Sequence, residues 1–297
     1  MMTKAYNNLK TVVLLGLMTG LILFVGSFFG QNGVIIALVM AAVMNFVSYF
    51  FSDKIALMTM RAQEVGPEHE LYRIVEPLAR RANLPMPRVY VSPAMAPNAF
   101  ATGRNPKNAA VCATAGLMQV LDREEIAGVM AHELAHVKHR DILIASIAAT
   151  IGGAISSLGY LFMFGGARDE DGDSNPLAGL FALILAPVAA GLIQAAISRS
   201  REFNADREGA EIVGDPMPLA TALEKIHAMA HQVPLPVNPS MNGLFIAEPF
   251  NGLRTAMNLF QTHPPLEKRL MNLIGRASTG RVAFDPRGQG RGRVAFY

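Results

Sequence analysis

Four uncharged, mostly apolar runs punctuate the chain, at about 11–30, 33–51, 142–166 and 177–197. About 20 such residues carry a helix across the hydrocarbon of a bilayer, so each run is predicted to be a membrane-spanning helix. The alternative for each is a buried core helix. The last two runs contain Gly152, Gly153, Gly159 and Pro187, and they also suit partial packing within a protein cavity or close helix packing in lipid. Lys4 and Lys10 precede the first run, as basic residues precede the apolar core of a signal peptide. A two-residue turn, Gln31-Asn32, then leads directly into the second run with no small-residue cleavage site. The expected element is an uncleaved hairpin.

Elsewhere the pattern changes. The stretch "DREEIAGVMAHELAHVKH" (122–139) has apolar residues at helical spacing. Asp122 stands as N-cap and Glu125 lies three residues on, a capping box that opens a helix. "SRSREFNADREGAEIVG" (198–214) also has a helical period. "NAFATG" (98–103) and "NAAVCATAGL" (108–117) are short β-prone runs separated by "RNPK".

Composition agrees with the apolar runs. Of 297 residues 51% are hydrophobic and 16% charged, with a mean hydropathy of +0.29, a membrane protein's balance. The formal charge of +3 comes from residues 276–297, where five arginines face Asp285 alone. The rest of the chain holds 21 basic and 22 acidic residues, which argues against a nucleic-acid partner. Cys112 is the single cysteine, so no intramolecular disulfide forms.

Basic residues flank the runs on one side. Lys4 and Lys10 precede the first run, Lys54 and Arg61 follow the second, Lys138 and Arg140 precede the third, and Arg199 and Arg201 follow the fourth, whereas the loops "QN" and "RDEDGDSNP" carry one arginine. By the positive-inside rule, both termini and 52–141 are expected in the cytoplasm.

The chemistry concentrates in "VMAHELAHVKHRD" (129–141). His132 and His136 lie four residues apart, about 40° round a helix, and can share one ion from one face. Glu133, about 100° from His132, can approach a water on that ion as a general base. A hydrolytic zinc site needs a third protein ligand and one open position. His139 lies about 10 Å along the axis from His132 and is expected to be solvated or at headgroup level. Glu202 in the 198–214 segment is the better candidate. Asp206, one turn later on the same face, is placed to accept the other ring N–H of a ligand histidine. In isolation a Glu-x-x-x-Asp pair reads as a solvated charged face. Two crossings between 136 and 202 would return both ligand helices to one side of the membrane.

These features resemble the HtpX family, bacterial membrane-integrated zinc metalloproteases of the gluzincin type, related to the CAAX prenyl proteases. The likeness runs through the N-terminal hairpin, "PNAFATG" (97–103), "VMAHELAHVKHRD", the second hairpin, "REFNAD" (201–206) and "THPPLEKRL" (262–270); the tail after about 276 is poorly covered. It implies one Zn2+ per subunit on His132, His136 and Glu202, with Glu133 catalytic. It also implies a cytoplasmic catalytic domain at the bacterial inner membrane that degrades damaged or misassembled membrane proteins under stress. Membrane-protein and unfolded polypeptide substrates and the lipid bilayer are the partners so implied; no oligomeric state follows.

The expected fold class is a mainly α multi-pass membrane protein, a four-helix transmembrane part with an α+β zincin-like catalytic domain on its cytoplasmic side. The expected organisation is a hairpin over 1–52, catalytic segments over 53–141 and 198–275 around a second hairpin over 142–197, and a basic, flexible tail over 276–297. Two further residues are candidates. Asn98, after Pro97, is read either as a substrate contact or as a turn residue; an exposed strand edge in its neighbourhood would pair with an extended peptide. His263, ahead of two prolines, is read either as a donor to the developing oxyanion or as a loop-fixing residue. A prenyl-protein protease is the alternative function, ahead of a non-enzymatic membrane scaffold.

Overall fold

The computed structural model describes residues 2–27, 30–148, 199–230 and 264–275. Two long helices come first, α1 (Met2–Ser27) and α2 (Gly30–Thr59). They run antiparallel: Asn45 donates to Thr19 Oγ1 at 2.8 Å, and a Cβ on Gly26 would lie 2.4 Å from that of Ala37. Small residues thus let the backbones close up where lipid offers no hydrophobic drive of its own. Among the described residues, α2 is long and apolar enough to cross a bilayer, whereas in α1 the apolar stretch is Thr11–Phe24. The expected Gln31-Asn32 turn is corrected, because both residues lie in the first turn of α2. Gly30, with φ +72°, begins that helix; a glycine takes this left-handed conformation without the Cβ penalty, so the polar pair is not needed for the reversal. The second hairpin falls outside the described residues apart from 142–148, which are helical.

The part that follows α2 is built on a four-stranded mixed sheet in the order β1 (Gln63–Val65), β2 (Arg88–Ser92), β4 (Ala109–Thr114), β3 (Ala99–Gly103). β2 and β4 are parallel, and the outer pairs are antiparallel. Of the β-prone runs around "RNPK", 99–103 forms β3 and 109–114 forms β4, joined through a 3-10 turn at Pro106–Asn108, whereas 115–117 open a helix instead. Strand side chains alternate between faces, and both faces are covered. Val89, Ala99, Ala101, Val111 and Ala113 join the main core. Tyr90, Phe100, Ala110 and Cys112 pack on the end of α2 through Ala56, Leu57 and Met60.

The main core is closed by helices α3 (Glu70–Arg81), α4 (Ala115–Val120), α5 (Arg123–His139), α6 (Arg199–Val213), α7 (Met217–Ala230) and α8 (Leu266–Ile274). The predicted capping box opens α5: Glu125 N donates to Asp122 Oδ1 and Asp122 N to Glu125 Oε2, both at 2.9 Å. α5 is buried almost all round. Two glycines allow its neighbours to approach. A Cβ on Gly128 would lie 2.7 Å from Leu219 N of α7, and one on Gly209 of α6 would lie 2.9 Å from His132 N. Beyond α5, Ile144 and Ile147 pack against Leu14 and Met18 of α1, so the histidine helix passes within a few residues into contact with the N-terminal hairpin.

Candidate metal centre

His132 and His136 project from one face of α5, as their spacing requires, with their Nε2 atoms 3.1 Å apart. α6 brings in the third group. Its buried residues Glu202, Ala205, Asp206, Gly209 and Ile212 recur at three- and four-residue steps, one helical face turned to α5. Glu202 is 5% exposed and Asp206 1%, which excludes a solvated charged face. One Glu202 oxygen lies 3.7 Å from His132 Nε2, the other 3.6 Å from His136 Nε2.

The three ligand atoms of His132, His136 and Glu202 all fall within 4.8 Å of one another. Donors about 2.0–2.1 Å from a tetrahedral ion are separated by about 3.3 Å, so the observed spacings straddle what one ion would impose. The donor set, two imidazoles and a carboxylate, is that of a hydrolytic metal with a fourth position open to water. Glu133 is buried at 4% exposure on the same helix.

Each histidine also has a carboxylate on its far nitrogen. His132 Nδ1 lies 2.9 Å from Asp206 Oδ1. Asp206 is itself gripped by Arg269 of α8, with Nε on Oδ2 at 2.9 Å and Nη2 on Oδ1 at 2.5 Å. Burial alone would raise the Asp206 carboxyl; the guanidinium outweighs it and holds the group at about 2. On the other side, His136 Nδ1 lies 3.3 Å from Asp141 Oδ2. Burial disfavours the His136 imidazolium, but the charges of Glu202, Asp141 and Glu133 prevail and push it up to about 9. That excess of negative charge suits a cation.

Asp141 and Arg269 were not legible as site residues. On a continued helix residue 141 would lie about 140° round from His136. The chain instead leaves α5 at Arg140 in the left-handed conformation, φ 62°, and Asp141 N bonds back to His136 O at 3.0 Å. That reversal delivers the carboxylate to the ring. Arg201 of α6 stands 3.7 Å from the other Asp141 oxygen. For Arg269 the available signal was a charge between Leu266 and Leu270 on the apolar face of α8, all three buried.

His139 stays outside the cluster, but not as a solvated residue. It pairs with Glu208 of α6 at 2.5 Å, beside Lys138, which pairs with the same carboxylate. Both partners come from the close α5–α6 contact. Asn98 is buried. Its Oδ1 accepts from Ala99 N at 2.8 Å, and its backbone N–H donates to Thr114 Oγ1. His263 lies outside the described residues.

The model of peptidase family M48 matches residues 65–277, well over half of the chain and the whole of this cluster. The chain belongs to peptidase family M48. This M48 chain is 52% identical over 283 residues to the protease HtpX homolog of Paraburkholderia phytofirmans, spanning 93% of this chain and 99% of the relative. The same figures hold for the homolog from Burkholderia cenocepacia. The crystal structure of S. mikatae Ste24p is similar with a TM-score of 0.51 at 19% identity, over 92% of this chain and 66% of that one; at that identity the likeness is one of fold. As an M48 member the protein is a metallopeptidase acting on polypeptides, and the His132–His136–Glu202 cluster fits the metal its family implies.

Proposed function

We propose that the protein is a membrane-integrated zinc endopeptidase of the inner membrane that removes damaged or misassembled membrane proteins. The observation that carries the reading is the convergence of His132, His136 and Glu202 beside Glu133. His132, His136 and Glu202 would hold a zinc ion, which when bound would supply a Lewis acid toward water and the scissile carbonyl. Glu133 then takes the proton of the attacking water on a carboxylate oxygen and delivers it to the leaving amide nitrogen. Asp206 and Asp141 hold the two imidazoles by their Nδ1 atoms, and Arg269 holds Asp206.

The substrate backbone is assigned to β3, one of the two outer strands of the sheet, which packs on α5 and whose five residues are buried. Main-chain pairing gives the sequence tolerance that a disposal enzyme needs. Asn98, at the head of that strand, contributes by fixing its start, and His263 is assigned to the developing oxyanion. Four spans place both termini and both catalytic segments, 53–141 and 198–275, on the cytoplasmic face, around the second hairpin of 142–197.

Glu133→Gln tests the reading. The amide keeps the shape but cannot accept a proton, so metal per chain should stay at the wild-type level while casein digestion falls at least 100-fold. Wild-type digestion by this variant would remove Glu133 as the base. A prenylated peptide serves as the second substrate: its cleavage without any cleavage of casein or of an unfolded membrane protein would assign prenyl-protein processing instead.

A further inference from the structure

A cleft of about 440 Å3 opens where the end of α2 meets the turn between β3 and β4, and no residue of the metal cluster lines it. One wall is aromatic. Phe46, Phe50 and Phe51 line it while remaining 56%, 41% and 39% exposed, on the last turns of the apolar run that α2 carries. The other wall is cationic, formed by Lys54, Arg88, Arg104 and Lys107.

The lining contains one carboxylate, Asp53, and Arg88 already holds it at 2.8 Å. Arg88 also reaches Tyr90 Oη at 3.2 Å, and that hydroxyl donates to Glu64 at 2.8 Å, so the nearby acid behind the wall is engaged too. Lys54, Arg104 and Lys107 have no ion pair among the described residues. Lys54 lies over the Phe51 ring at 5.2 Å and Arg104 over Phe50 at 5.4 Å. The aromatic wall therefore holds two cations beside a third without neutralising them.

Depth in the membrane identifies what such a cleft can take. The apolar run of α2 ends at Phe51, and Lys54 follows within one turn, about 4.5 Å along the axis. Aromatic rings and basic side chains at a helix end mark the headgroup layer. We propose that this cleft binds the headgroup of an anionic phospholipid of the surrounding leaflet, its phosphate between Lys54, Arg104 and Lys107 and its acyl chain along Phe46 and Phe50. A free phosphate ion would use the cations but not the aromatic wall, which continues into the exposed Val43 and Val39 of α2. A choline headgroup would set its ammonium against three cations.

The lipid also reaches the catalytic part. Arg104 and Lys107 belong to the turn that joins β3 to β4, and β3 packs against α5. Filling the cleft ties that turn to the membrane surface and fixes the tilt of the outer strand relative to the bilayer.

Native mass spectrometry of the full-length protein in neutral detergent tests this, with dioleoylphosphatidylglycerol, dioleoylphosphatidylcholine and inorganic phosphate as probes. Phosphatidylglycerol should bind at least tenfold tighter than phosphatidylcholine, weaken with added salt, and resist displacement by millimolar inorganic phosphate. K54Q/R104Q/K107Q should erase the preference while metal per chain stays unchanged; Arg88 is left in place because it neutralises Asp53. Equal binding of the two lipids by the wild-type protein would overturn the proposal without reference to any variant's folding. So would displacement by millimolar inorganic phosphate, which would make the cleft a free-anion site, or an undiminished preference in the triple variant.

Discussion

Asp141 stands beside His136 because one residue, Arg140, adopts φ 62° and turns the chain back. A carboxylate on the far nitrogen of a ligand histidine fixes its tautomer and orientation, and losing it typically weakens metal affinity 10–100-fold. Asp141→Ala is expected to fall in that range in a competition titration against a chelator. Glu202→Ala should fall further, since it removes a ligand atom, and His139→Ala should remain near wild type because its ring belongs to Glu208. Metal loss in His139→Ala with retention in Glu202→Ala would overturn the ligand assignment.

At the scale of elements, the site depends on how closely α6 lies against α5. Glu202 and Asp206 reach His132 and His136 because Gly209, on the same face, has no side chain to hold the helices apart. A Cβ there would lie 2.9 Å from His132 N and 3.0 Å from its Cα, and backbone cannot yield as a flexible side chain does. Gly209→Ala should therefore destabilise the fold by about 1–3 kcal/mol and weaken metal affinity by roughly tenfold through displaced carboxylates. Gly16→Ala, where a Cβ meets nothing within 4 Å, is the control. Paired unfolding and metal titrations that left Gly209→Ala indistinguishable from that control would show the helix contact to be irrelevant to the site.

Across the whole molecule, catalytic and membrane parts are one packing unit. The end of α2 covers one face of the sheet, and Ile144 and Ile147, just past the histidine helix, rest on Leu14 and Met18 of α1. Replacing residues 142–197 with a Gly/Ser linker should therefore loosen the metal centre as well as abolish cleavage of membrane substrates. The entropy of closing a longer loop is small, about 0.6 kcal/mol per doubling, so the loss would come from packing. A linker variant with wild-type metal affinity and wild-type cleavage of a membrane-protein substrate would reduce the segment 142–197 to a tether.

Some of this was legible before any fold. The two histidines of α5 share a face because four residues make little more than one helical turn, and Asp122 with Glu125 caps that helix through atoms three residues apart. The strand character of β3 and β4 was readable from their β-prone runs, while their antiparallel pairing came from the fold. Glu202 was nominated by motif and topology, although its distance from the histidines is set by Gly209, more than sixty residues beyond them in the chain. The roles of Asp141, Arg269 and Glu208 could not be read, because each depends on contacts that helical periodicity does not encode: a left-handed turn, a buried pair from a third helix, and an ion pair across two helices. Local periodicity determined which residues share a face; only the tertiary structure decided which faces meet, because that depends on backbone reversals and on the few glycines where two helices can touch.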